Sequence, residues 1–230
     1  MKKWGMILVL LLVLTGCRST PFSGHSVIDW VDFIKWDGIK YNGIYSGVLA
    51  DESFLGEKLG KVKFKVADNV TNSSYKIRNG DAAFHEKGTE IYKIKGYPEL
   101  IAVKSDREIN GYAVYFAIDE SEFKWHFKDM PKEYVHKIQI YKFNPNGNKL
   151  VSEWTEKEDV VHFLQLLQRS EPNSTFQPNT EKGDPILYEM IFYTEEPVAY
   201  KYILQFDGES YFWHPWDTEI ISDKIETFLE

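Results

Sequence analysis

The chain has 230 residues, 43% hydrophobic and 16% aromatic, with a formal charge of −8. That composition supports a real core and excludes a disordered chain. The acidic balance and the absence of a long basic run exclude nucleic acid as the expected partner, because phosphate binding needs a basic patch.

Lys2 and Lys3 form a short positive start, and Trp4 to Leu14 carries no charged or strongly polar side chain. This apolar run suits a signal-peptide core and falls short of the ~20 residues needed to span a bilayer as a helix. Thr15 and Gly16 are small, as a peptidase site requires, and Cys17 is the only cysteine of the chain. Leu14-Thr15-Gly16-Cys17 resembles the lipobox of bacterial lipoproteins at all four positions. The resemblance implies cleavage between Gly16 and Cys17. It also implies a diacylglyceryl group on the Cys17 sulfur and an acyl (palmitoyl) group on its new amino end. Two or three acyl chains anchor stably where one holds marginally, at ~0.8 kcal/mol per buried CH₂. The expected place of work is therefore the extracytoplasmic face of a cell membrane. With Cys17 used for lipid, the exported part has no thiol, hence no disulfide and no cysteine–metal site.

Removing residues 1–16 leaves roughly two hundred residues, enough for one large or two small domains. Residues 17–26 read as a lipidated tether, 27–130 as a β-rich region and 131–230 as an α+β region. The charged stretch Asp119–Glu133 is either a boundary or a long loop within one domain.

Asp37-Gly38 between two alternating, aromatic-rich runs predicts a type I′ hairpin. Gly56 and Gly60 suggest a bend, followed by a strand over Val62–Val66 that turns Lys61, Lys63 and Lys65 to water. Further strands are expected over 89–94, 100–103 and 110–118. The segments 59–62 and 88–97 are similar to parts of uncharacterised lipoproteins of Gram-positive bacteria, a similarity that implies no activity.

Strands follow at 135–143, 150–154, 186–193, 198–206 and, after the Asp207-Gly208 turn, 209–214. Thr155 and Glu158 form a capping-box pattern. The apolar stripe Val160, Val161, Phe163, Leu164, Leu167 predicts a helix near 156–169. Ile220, Ile221, Ile225, Phe228 and Leu229 suggest a C-terminal helix. Hairpin-linked strands with late helices predict an α+β fold built on a mainly antiparallel sheet.

No Gly-x-Ser-x-Gly elbow, Walker loop or His-Glu-x-x-His pattern appears, and the six histidines are scattered. No catalytic residue, metal site or cofactor is expected from such a sequence. The unusual feature is aromatic density, above all in Tyr211-Phe212-Trp213-His214-Pro215-Trp216. Alternation along a strand cannot bury every ring of that run. Tyr211, Trp213 and Trp216 are therefore candidate ligand-binding residues, although strands also use aromatics simply to fill cores. The reading that follows is a lipid-anchored, non-enzymatic envelope protein that binds a partner protein or cell-wall ligand. The alternatives are an envelope hydrolase with scattered residues, or an inhibitor or chaperone-like accessory protein using exposed strand edges.

Overall fold

A computed structural model describes residues 28–119, 122–145, 147–181 and 183–229. The signal segment, Gly16, Cys17 and the 17–26 tether lie outside the described residues. Among the described residues, two mainly antiparallel sheets of eight strands each make up the architecture.

The first sheet starts with the hairpin β1 (Phe33–Trp36) and β2 (Ile39–Gly43). Trp36 faces Ile39 in the ladder, and Asp37 and Gly38 have φ of 47° and 81°. This is the two-residue turn expected there, with positive φ at both central positions. The sheet is completed by β4 (Leu55–Lys61), β5 (Phe64–Lys65), β6 (Asp81–Ala82), β7 (Glu90–Ile94), β8 (Tyr97–Lys104) and β9 (Tyr112–Ala117). Their order is β4-β7-β8-β9-β2-β1-β6-β5, with β5 and β6 parallel.

Here the structure corrects two expectations. The glycine-marked bend at 56–60 is part of β4, which pairs with β7 through two register shifts. The long strand over 62–66 is reduced to the two residues of β5. Gly60 explains the choice: the Trp36 ring lies over it, and a Cβ there would come within 2.4 Å of that ring. Asn110 is also not strand. It takes φ of 66° in the turn before β9, and its side-chain amide donates to the Leu49 and Ala50 carbonyls.

A short β3 (Gly47–Leu49) follows β2 in the chain and pairs with β14 (Val198–Phe206) of the second sheet. The second sheet comprises β10 (Lys137–Lys142), β11 (Lys149–Trp154), β12 (Glu171–Pro172), β13 (Ile186–Tyr193), β14 (Val198–Phe206), β15 (Tyr211–Trp213) and β16 (Glu219–Ile221). Its order is β11-β10-β13-β14-β15-β16-β12. Gly47 makes the crossing possible, since a Cβ at that position would meet Val198 Cγ1 at 2.6 Å and Ile44 Cγ2 at 3.0 Å. Gly47→Ala is expected to cost about 1–3 kcal/mol by overpacking. An unchanged urea midpoint would show that β3 and β14 are not so closely apposed.

The helix α1 (Lys157–Gln168) buries Val160, Phe163, Leu164, Leu166 and Leu167. Val161, expected in the stripe, is 41% exposed. The capping box does not form: Glu156 occupies the N-cap and makes no side-chain cap bond. A start one residue later places Asp159, not Glu158, at the third helical position, so the reciprocal bond is lost. The C-terminal helix is shorter than expected. Ile220 and Ile221 lie in β16, opposite Phe212 and Tyr211. Only Asp223–Phe228 is helical, as 3₁₀ turns begun by Ser222 accepting from Lys224 N. Ile225 and Phe228 are three apart, which brings them to one side of such a helix, and both are buried.

The largest apolar cluster takes Val114 and Phe116 from the first sheet, Phe192 and Leu204 from the second, and Phe163 from α1. The connector expected as charged loop contributes as well: Trp125, Phe127 and Met130 are buried in the same cluster.

Candidate functional site

The 211–216 run resolves into three buried rings, Tyr211, Phe212 and Trp213, and an exposed Trp216. Tyr211 and Trp213 lie two apart on β15 and point to the same face, into the core. Both are buried, and Tyr211 stacks on Phe206 with centroids 4.3 Å apart. Phe212, on the opposite face, is also buried, against Phe176. Pro215 ends the strand pairing, since it has no N–H to donate. Trp216 follows in the turn and is 78% exposed.

Beside Trp216 lies a cavity of about 580 Å³. Trp213, Phe127 and Leu167 supply its apolar lining, and Pro215 and Trp216 its rim. His126 stands edge-on to the Trp216 ring at 5.5 Å and to Phe123 at 4.7 Å. Lys128, Lys132, Gln168 and Glu219 provide polar groups around this apolar lining.

The lining is fixed from behind. Trp213 Nε1 donates to Ser170 Oγ at 3.0 Å. Ser170 lies 2.6 Å from the Leu167 carbonyl and within bonding distance of Glu219, either of which takes its single proton. Phe127 meets Trp213 edge-to-face at 4.7 Å. Lys132 Nζ lies 4.5 Å from the Phe127 centroid and donates to the Phe127 carbonyl at 2.7 Å. Burial lowers the Lys132 pKa, against the opposing pull of Asp129 and Glu133. Its ammonium is thus held by a ring and carbonyls, and its position is set before any ligand arrives.

Of the three sequence candidates, the structure places Trp216 at the rim and Trp213 in the lining, and sends Tyr211 into the core. His126, Lys132, Ser170 and Glu219 join the site from three other segments. No sequence spacing links them; only the buried connector brings residues 126–132 beside β15.

Such a cleft can hold a flat apolar face against Trp216 and meet hydroxyl or amide groups at its polar edge. Among the described residues, no cluster of three or more His, Cys, Asp or Glu is placed to hold a metal, and no helix is long and apolar enough to cross a membrane. Comparison of the chain with protein-family models, with curated proteins and with solved structures gives no match.

Proposed function

We propose that this is a lipid-anchored protein of the extracytoplasmic membrane face that binds a cell-wall ligand in the Trp216 cleft. The observation that carries the reading is a fully built aromatic cavity with an indole left open to solvent at its rim. A large ring that contributes nothing to the core is better suited to a binding surface, where Trp is strongly enriched. The ligand that fits has an apolar ring face and a hydroxyl-rich edge, which is the chemistry of a sugar. The lipobox at Leu14–Cys17 supports the membrane address.

The test is tryptophan fluorescence and calorimetry with soluble peptidoglycan fragments and chitin oligosaccharides on the detergent-solubilised protein. Trp216→Ala is expected to weaken binding by about tenfold or more, the range of an aromatic hot spot, while leaving the melting temperature unchanged. Equal binding by the variant, or no binding by the native chain, removes the cleft from the argument. In cells, Cys17→Ala is expected to leave the membrane fraction or remain unprocessed. If it is cleaved and still partitions with membranes, the anchor is wrong. Release of new reducing ends or amino groups from wall material would replace binding by hydrolysis as the function.

A further inference from the structure

A second cavity, of about 620 Å³, shares no lining residue with the first. Tyr115 lies at its buried end. Val114 and Phe116 of β9 face the main core, so Tyr115 between them points the other way. Tyr115 Oη donates to Asp32, 3.0 Å from one carboxylate oxygen and 2.9 Å from the other. His85 Nε2 lies 2.7 Å from the same hydroxyl. A carboxylate only accepts, and a phenol has one proton. With Asp32 ionised, His85 must therefore donate through Nε2–H, which leaves its Nδ1 an acceptor. Burial lowers the His85 pKa, reinforced by Arg107 and opposed by Glu108, so a neutral ring is the favoured form.

The placement of Asp32 is specific. Gly43 leaves the space its carboxylate fills, since a Cβ there would be 2.7 Å from Oδ2. Burial raises the Asp32 pKa, the Tyr115 bond opposes this, and Glu108 adds to the rise. Among the described residues no cation pairs with Asp32. The nearby charges are committed elsewhere: Glu108 accepts from Lys201 at 2.6 Å, and Lys65 pairs with Asp68 and Glu86. Lys104 and Arg107 also line the cavity, both exposed and neither in an ion pair among the described residues. Asp106 shares their turn and is exposed.

We propose that this cavity binds a small zwitterion of amino-acid size, its ammonium on Asp32 and its carboxylate on Arg107 and Lys104. An ammonium restores to Asp32 the counter-charge it lacks. A simple anion would be repelled by Asp32 and Glu108. A simple cation would leave Arg107 and Lys104 unmatched. The volume lies within the range of small-molecule sites, about 300–1,000 Å³.

The test is calorimetry on the detergent-solubilised full chain with each standard amino acid and D-alanine in turn. At least one is expected to bind with Kd below about 1 mM. Its amide and its N-acetyl derivative are expected to bind about tenfold or more weakly, because each lacks one of the two charges. Asp32→Asn and Arg107→Ala should each weaken binding to a similar extent, and Trp216→Ala should leave it unchanged. Arg107 is an exposed side chain, so its variant reports on the site even if Asp32→Asn disturbs folding. The proposal is overturned if no amino acid binds with Kd below about 1 mM, if the N-acetyl derivative binds as well as the parent, or if Arg107→Ala has no effect.

Discussion

Trp213→Ala is expected to lower the stability of the folded chain by about 3–5 kcal/mol, the range for truncating a fully buried aromatic. Trp213 is 1% exposed and meets Phe127 at 4.7 Å and Tyr202 at 6.1 Å, both edge-to-face. Its removal opens a cavity where residues from both sides of the 119–133 connector meet. It also takes the indole donor from Ser170 Oγ, whose other neighbours are the Leu167 carbonyl and Glu219. Trp213→Phe keeps most of the volume but loses the hydrogen bond and leaves a small void, so its cost should be smaller, about 1–2 kcal/mol. Equilibrium urea unfolding of the two variants measures both costs. A cost below about 1 kcal/mol for the alanine variant would mean that β15 and the connector are not packed as described.

Tyr115→Phe is expected to cost about 1.5–3 kcal/mol, the value of a hydrogen bond to a charged group. The ring still fills its place in the second core cluster, beside Ile34 and Ile101. What is lost is the hydroxyl that holds Asp32 and receives His85. Asp32→Asn should act in the opposite direction near neutral pH. Because burial raises the Asp32 pKa, the folded state binds this proton more tightly than the unfolded chain. The ionised group therefore opposes folding above its raised pKa, and that opposition fades as pH falls toward the ordinary value of 3.8. Asp32→Asn should raise the melting temperature at pH 7, with the gain closing on acidification. The groups facing Asp32 are Tyr115, Tyr45 and Glu108, with His85 one bond further away. In the asparagine background Tyr115→Phe should cost only about 0.5–1.5 kcal/mol, since the bond is then between neutral groups. A lower melting temperature for Asp32→Asn at pH 7 would show that the carboxylate stabilises the fold, and would remove the case for an unsatisfied charge in that cavity.

The local readings came from chemistry that acts over a few residues. Asp37-Gly38 is a hairpin turn because two consecutive positive φ angles favour those residue types. The α1 stripe is a helix because its apolar side chains recur at the helical period. The expected strands at 186–193 and 198–206 match β13 and β14 because long apolar, β-branched and aromatic runs have few other uses. The fold departs from the local signal where a distant residue outweighs it. Trp36 over Gly60 turned a bend into strand, and pairing with β15 drew Ile220 and Ile221 out of a helix.

A sheet-rich fold, the lack of any disulfide within the chain and the weight of the 211–216 aromatics are legible along the sequence, as is the Leu14–Cys17 pattern on which the proposed anchor rests. Each of these depends on residues that are neighbours along the chain, or on composition. The exposure of Trp216, the presence of His126 and Lys132 in its cleft, and the meeting of Asp32, His85 and Tyr115 all follow from how distant segments pack. The last three residues lie up to 83 positions apart. Their meeting depends on sheet order and on which face of β9 points outward from the main core. Neither is encoded in any spacing that can be read along the chain.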